Sequence, residues 1–269
     1  MNTDTFDPLQ YYSSYPSKVI SRPGYSARAA YKSTFIFGLY GQRIKQEIGT
    51  ITTYADIGGC FGFGANAMAF QILKQQDTPP KTVVFEIASE FVRIGKMLFP
   101  HIEFIEANFS VWNGHVRYFD LISMFDVIEH VVNPKSFLQE VSSRGKYLVL
   151  KTPMETSGDW RGSMPPDKQG QNHVDGHINF FTPETYERLL DESNFDVLES
   201  ILVPTIVPRS ALAILVPEQT DQARFLSSFR TPKRFLTNML RNFPVIPWKL
   251  KRKIFGGGDH ICLCKSRSF

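Results

Sequence analysis

The sequence predicts an α/β fold: a mostly parallel sheet covered by helices on both faces. Three observations carry this. From Ile51 onward, short apolar runs alternate with stretches of helical period, the arrangement of strands that need crossover helices to pair in parallel. A glycine-rich stretch, Gly58 to Gly64, joins the first such run to the first helix of the alternating region. At 269 residues and 42% hydrophobic, the chain can bury one sizeable core, or one core plus an appendage.

Residues 1–25, with Pro8, Pro16 and Pro23, read as an irregular lead-in. Ser26 to Ile48 carries a helical apolar period, with Gly49 placed to end it. Strands are expected at Ile51–Ile57, Thr82–Ile87, Ile102–Ile105, Phe119–Phe125 and Tyr147–Lys151, and helices at Gly64–Lys74, Ser89–Leu98 and Asn133–Ser142. A loop rich in Gly, Pro and polar residues runs from Pro153 to Gly176. Thr182-Pro183-Glu184 then opens a helix, with a hydroxyl at the N-cap, proline in the first turn and an acid at the positive end. That helix runs to about Ser193, with Asn194 suited to the left-handed cap, and Phe195 to Val203 reads as the next strand. After Gly256-Gly257-Gly258, a last strand spans His260 to Lys265; a competing placement puts it at Ala211 to Val216. Residues 26–269 thus read as one domain with a basic helical insertion at about 205–258.

Charge is unevenly spread. The net charge is +4, yet the stretch from Gln222 to Gly258 has no acid and carries +9, leaving −5 on the remainder. Within it, residues 224–253 interleave cations with aromatic and aliphatic side chains, while Pro244 and Pro247 interrupt any continuous helix. Such a stretch suits a lid over an acceptor, or contact with an anionic membrane surface or a phosphate-bearing acceptor. Nucleic acid is disfavoured, because the stripe is short and the rest of the chain acidic. A solvated basic face on an ordinary amphipathic cover remains the plain alternative.

Cys60, Cys262 and Cys264 lack the spacing of a disulfide framework or a zinc site. Met1 to Gln10 shows no basic region followed by an apolar stretch, and no run approaches the ~18 apolar residues of a membrane span. A cytoplasmic setting is expected, with the membrane at most a peripheral contact.

The informative segment is Tyr54-Ala55-Asp56-Ile57-Gly58-Gly59-Cys60-Phe61-Gly62-Phe63-Gly64-Ala65. Glycines at 58, 62 and 64 let the backbone turn sharply and approach a ligand. The helix that follows points unpaired N–H groups at it. Asp56 ends its strand and can hold an ammonium. Glu86 ends the next strand, 22 residues beyond Gly64, where an acid can take both ribose hydroxyls. The alternative is a tight βα turn beside a surface glutamate. The spacing is neither G-x-G-x-x-G nor a P-loop with GK[ST].

Asp56 and the glycines after it, spaced as D-x-G-x-x-x-G-x-G, resemble motif I of the class I S-adenosylmethionine-dependent methyltransferases. Phe119 to Val131, reading FDLISMFDVIEHV, looks like the fourth-strand motif of their small-molecule and sugar group, related to the ubiquinone-pathway O-methyltransferases. Gly176 to Glu184, GHINFFTPE, is similar to the segment before their sixth strand. The resemblance covers roughly Thr52 to Ser200 and the closing strand. It implies a Rossmann-like, seven-stranded, mostly parallel sheet whose last strand inserts antiparallel beside Phe195–Val203, with the N-terminal helix over the cofactor cleft. It implies S-adenosyl-L-methionine as cofactor, with Gly58 and Gly62 cradling the methionine part and Asp56 beneath it. Glu86 would hold the ribose, Ile87 would pack on the adenine, and Asn108 and Phe109 would meet its edge and face. Met124 and Phe125 would line the sulfonium side. Two positions depart from the pattern: Cys60 stands where glycine is common, and Asn108 where aspartate is frequent.

Methyl transfer from a sulfonium is largely a matter of positioning, but an oxygen acceptor must also lose a proton, and histidine is suited to taking it. His130 is the first candidate base, His177 the second and His173 the third. Each has a structural alternative, as a helix-start cap or a loop brace. Glu129 and these histidines are metal-compatible types without a fixing spacing, and no metal is expected. Acceptors open to such an enzyme include a sugar, a saccharide-chain end, and a quinone-like or lipid-linked phenol, with a glycan or sugar-nucleotide acceptor favoured by the resemblance. Two rival readings are a non-catalytic scaffold acting through the basic segment and a nicotinamide-dependent oxidoreductase.

Overall fold

The computed structural model describes residues 25–113, 118–154, 176–204 and 258–269. The lead-in at 1–24, the loop carrying His173, the alternative strand 211–216 and the basic stretch 224–253 lie outside the described residues.

Helix α1 (Tyr25–Ile48) stops at Gly49, whose φ of 76° lets its N–H close onto the Lys45 carbonyl at 2.9 Å. Strand β1 (Thr53–Ile57) begins two residues later than the apolar run suggests. The Gln76 amide explains this: it takes both polar groups of the Ile51 backbone, at 3.0 and 2.9 Å, so Ile51 needs no strand partner. There follow α2 (Phe63–Leu73), β2 (Lys81–Glu86), α3 (Ser89–Leu98), β3 (Glu103–Glu106), β4 (Phe119–Phe125), α4 (Pro134–Arg144) and β5 (Gly145–Met154). The last three elements are α5 (Pro183–Glu192), β6 (Phe195–Pro204) and β7 (Gly258–Ser266). Helix α5 opens as its sequence dictates. Thr182 caps it, and Thr185 closes a reciprocal capping box at 3.3 and 3.0 Å. Asn194 adopts φ 71° at its far end.

The seven strands form one sheet in the order β3-β2-β1-β4-β5-β7-β6. The pairings among β1, β2, β3, β4 and β5 are parallel, and β7 runs antiparallel between β5 and β6. The glycine-hinged strand therefore occupies the position implied for the last strand. Its pairing with β5 reaches Pro153 and Met154, which lengthens β5 beyond Tyr147–Lys151.

Period-2 alternation sorts the core into two faces. Ala55, Ile57, Ile122, Leu148, Leu150, Cys262 and Cys264 meet α4 and α5 through Phe137, Leu138, Tyr186 and Leu190. Tyr54, Leu121, Val149, Ile261 and Leu263 meet α1 and α2 through Ile36, Tyr40, Ala65 and Met68. At the N-terminal end of β4, Asp120 binds the start of β1. Its Oδ2 accepts from the Thr52 N–H at 2.9 Å and the Thr53 N–H at 3.1 Å, while Lys146 pairs with Oδ1 at 2.9 Å. That acid ties strands together at the end opposite the site. No described helix is long and apolar enough to cross a membrane.

Gly62 caps α2 at φ 86°, and a Cβ there would lie 2.6 Å from Cζ of Phe104. Gly62→Ala combines left-handed backbone strain with a ring clash, so a loss of about 1–3 kcal/mol is expected in thermal or urea denaturation. An unchanged midpoint would show that the turn relaxes without cost.

Candidate active site

Parallel strands all end on one side, and the chain reverses direction across the sheet between β1 and β4. Ligands bind at such switch points, beyond the carboxyl ends of the strands. Here those ends, with α1 above them, enclose a cavity of about 1110 Å³.

One half lies over β1 and β2. Gly58, Gly59, Cys60 and Gly64 line it, together with Asp56, Glu86 and Ile87. The loop is sterically committed to glycine. A Cβ on Gly58 would meet Val127 Cγ2 at 2.5 Å, and one on Gly59 would meet Asp56 Oδ2 at 2.7 Å. Cys60 tolerates φ 50° and donates its N–H to Glu86 at 3.0 Å; burial holds its thiol far above the usual range, so it is no nucleophile. The other Glu86 oxygen accepts from the N–H groups of Ile87 at 2.8 Å and Ala88 at 3.0 Å. Burial raises the Glu86 carboxyl, and these backbone donors oppose the rise. Three of its roughly four acceptor positions are thus in use. Asp56 is buried, and the Ser123 hydroxyl donates to it at 2.5 Å, Ser123 in turn bonding the Tyr54 hydroxyl at 2.6 Å. Burial pushes the Asp56 carboxyl up to about 7; Ser123 opposes the rise and Glu86 adds to it.

Of the residues assigned to the adenine and the sulfonium, Asn108, Phe109 and Phe125 line the cavity, whereas Met124 does not, nor does Gly62. Gly62 faces Phe104 and Phe99 as a helix cap. Met124 is 1% exposed in the core beneath the sheet, since strand alternation turns it away from the side that receives Ser123. The carbonyl of Asn108 already accepts from the N–H and hydroxyl of Ser110, at 3.1 and 3.0 Å. The adenine contact expected of that carbonyl must therefore compete with the Phe109–Val111 turn that it caps.

Sequence reading missed a chain of ion pairs at the cavity floor. Asp126, at φ 57° just after β4, pairs with Lys32 of α1 and with Lys151 of β5, and Lys151 also reaches Asp259 of β7 at 2.9 Å. Burial would raise the Asp126 carboxyl, but the two lysines hold it far below its usual range. All four residues line the cavity. The available signal was positional: Asp126 and Lys151 stand at the carboxyl ends of adjacent parallel strands.

The other half of the cavity lies over β4, β5 and β7 and holds the histidines. His130 ends a 3₁₀ turn, Ile128–His130, and its ring lies edge-on to that of His177, with centroids 4.8 Å apart. His130 Nδ1 lies 3.1 Å from the carbonyl of Gly176. A carbonyl only accepts, so Nδ1 carries the hydrogen and the neutral ring keeps its basic lone pair on Nε2. Beside the histidines, Glu129 is 1% exposed, and among the described residues neither of its carboxyl oxygens has a hydrogen-bond partner from another residue. One oxygen of Glu129 and one ring nitrogen of each histidine lie within 4.8 Å of one another. Of the four metal-compatible residues considered from sequence, these three converge; His173 lies outside the described residues. Burial, with help from Asp126, raises the Glu129 carboxyl to about 8, while His177 and Lys151 oppose the rise.

Residues 56–200, more than half of the chain, match the family described as Methyltransferase domain. No curated protein matches the sequence. Among solved structures, the fold is similar to a protein from Galdieria sulphuraria assigned as a sarcosine dimethylglycine methyltransferase (TM-score 0.56, 15% identity, covering 88% of this chain and 86% of that one). It is similar to an O-methyltransferase of a trans-AT polyketide synthase from Brevibacillus brevis, in complex with S-adenosyl-L-homocysteine (0.53, 14%, 98% and 81%). A third is the N-terminal domain of EvdMO1, in the presence of S-adenosylhomocysteine and D-fucose (0.50, 12%, 89% and 83%).

Proposed function

The chain belongs to the S-adenosylmethionine-dependent methyltransferases, and from that premise we propose that it methylates a hydroxyl oxygen of a small-molecule or saccharide acceptor, with His130 as the base. The observation that carries the oxygen reading is the His130–Gly176 hydrogen bond, which leaves the basic lone pair on Nε2. A base is what a neutral hydroxyl needs and an already nucleophilic amine does not.

The residues over β1 and β2 fit the cofactor. Gly58, Gly59 and Gly64 line the cavity with bare backbone, which lets a ligand approach closely, and the two buried acids suit a cation and hydroxyl donors. Bound there, S-adenosylmethionine supplies a methyl group already activated by its sulfonium. In this reading Asp56 attracts the ammonium group, Glu86 accepts from the ribose, and Ile87 and Phe109 enclose the adenine. Phe125 separates that half from the acceptor half. His130 takes the acceptor proton as the oxygen attacks. Polar walls over β4, β5 and β7, with Glu129, His177, Lys151 and Asp259 among them, support a hydroxyl-bearing acceptor such as a sugar. The +9 stretch at 222–258 adds support for a phosphate-bearing or membrane-surface acceptor.

Calorimetric titration with S-adenosylhomocysteine, with NAD as control, tests the premise: micromolar binding of the first and none of the second is expected. Near pH 7 Asp56 is partly protonated, and a cation placed beside it lowers its pKa. Binding should therefore release protons, visible as heats that differ between buffers of different ionisation enthalpy. No binding of S-adenosylhomocysteine would overturn the cofactor assignment, and buffer-independent heats would overturn the role of Asp56.

A further inference from the structure

We propose that Glu129 is the positioning residue of the acceptor half: its buried carboxylate, set beside the His130–His177 pair, balances the positive charge that His130 gains when it deprotonates the acceptor. This rests on the assignment of His130 as base.

An unpartnered buried carboxyl is costly and calls for a cause. Glu129 is held in place by its own backbone rather than by its side chain. Its carbonyl accepts the N–H groups of both Ile178 and Asn179, each at 2.9 Å. The Asn179 amide donates to the carbonyls of Ile128 at 3.1 Å and Val131 at 2.6 Å. The turn bearing Glu129 and His130 is thereby riveted to the segment bearing His177. The carboxyl lies within 4.8 Å of a nitrogen of each ring, and among the described residues it takes no hydrogen bond from either. A structural glutamate would be expected to use its oxygens on the backbone that it braces, as Glu86 does. Glu129, among the described residues, takes no hydrogen bond from the backbone of another residue and keeps its oxygens beside two imidazoles.

The chemistry balances without a further reactant. The acceptor O–H bond breaks, its proton passes to His130 Nε2, and the new O–CH₃ bond uses the oxygen's electron pair. The sulfur–methyl bond breaks, with its electrons staying on sulfur. The imidazolium so formed needs a nearby negative charge in a water-poor site, and Glu129 supplies it when ionised. The charged and titratable groups facing Glu129 are Asp126 beyond β4, Lys151 on β5, Tyr186 on α5, and the two histidines. Asp126 is already neutralised by Lys32 and Lys151, which leaves Glu129 as the acid available to the pair. With its carboxyl at about 8, Glu129 ionises as pH rises through that value, so the rate should climb between roughly pH 7 and 9.

The test compares the wild type with Glu129→Gln and Glu129→Asp in single-turnover methyl transfer across pH, beside S-adenosylhomocysteine affinity. For Glu129→Gln the expected result is an affinity within about twofold of wild type, a chemical rate about 10- to 10²-fold lower, and loss of the rise near pH 8. Glu129→Asp should restore part of the rate and an alkaline rise. An unchanged rate and profile in Glu129→Gln, in an enzyme whose rate depends on His130, would overturn this proposal alone. A His130→Ala enzyme at near-wild-type rate would instead remove the base assignment beneath it. Rate loss accompanied by equal loss of affinity and thermal stability would make Glu129 structural. Inactivation of the wild type by chelator, reversed by added Mg²⁺ or Zn²⁺, would make the cluster a metal site and also overturn the proposal.

Discussion

Glu86→Ala is expected to weaken S-adenosylhomocysteine binding by about 10²-fold and to lower stability by about 2 kcal/mol. The first figure follows from losing one or two charge-assisted hydrogen bonds to ribose, at about 1.5–3 kcal/mol each, with every 1.4 kcal/mol worth tenfold in affinity. The second follows from the three backbone donors that the carboxylate satisfies, on Cys60, Ile87 and Ala88. Without it they need water or a rearranged loop. Because Cys60 already sits at φ 50°, its tether to Glu86 helps to hold the left-handed turn. Glu86→Gln separates the two effects. Its carbonyl keeps the Ile87 and Ala88 bonds, while its amide NH₂ opposes the Cys60 N–H, donor against donor. Stability should then fall less than in Glu86→Ala, and affinity should still fall. Titration and denaturation of both variants check this, and a folded Glu86→Ala protein with wild-type affinity would remove Glu86 from the ribose site.

The bonds around Glu86 and Asn108 add a point that the family pattern alone does not supply. Both residues are already committed to the protein backbone: Glu86 to three N–H groups, Asn108 to the Ser110 N–H and hydroxyl. A ligand entering this half must share or displace these bonds. In the proposed site, the loop is pre-organised by the groups assigned to bind, so tightness at the ribose would be coupled to the conformation of Gly58–Gly62.

Much of this was legible in the sequence because it depends on local chemistry. Glycine spacing, the Thr182-Pro183 cap and the period-2 runs each dictate backbone without long-range information. Those elements lie where expected, and β7 inserts between β5 and β6. Gly62 and Met124 resisted for a shared reason: a motif fixes a residue's place along the chain, not the face that it presents. Gly62 has φ 86° and faces Phe104, and it is not among the residues that line the cavity. Met124 alternates with the Ser123 that serves Asp56. The network of Lys32, Asp126, Lys151 and Asp259 joins residues from α1, the turn after β4, β5 and β7. No spacing rule relates positions 32 and 259 until the sheet order is known.

His130→Ala is expected to lower the single-turnover rate by about 10²–10⁴-fold, the range for removing a general base. Affinity for S-adenosylhomocysteine should stay within about twofold, because the half assigned to the cofactor lies over β1 and β2 while His130 stands beyond β4. The tautomer makes the expectation sharp. Gly176 adopts φ 76° and its carbonyl fixes the hydrogen of His130 on Nδ1, so Nε2 is the atom that can receive a proton. His177→Ala removes the neighbouring ring, with its centroid 4.8 Å away, but leaves that tautomer intact; its rate loss should be the smaller of the two. If the order is reversed, the base is His177 and His130 braces the 176–181 segment. If neither variant slows transfer while both bind cofactor normally, the acceptor needs no base, which is the behaviour of an amine or thiolate nucleophile. The oxygen-acceptor reading would then give way to one of those.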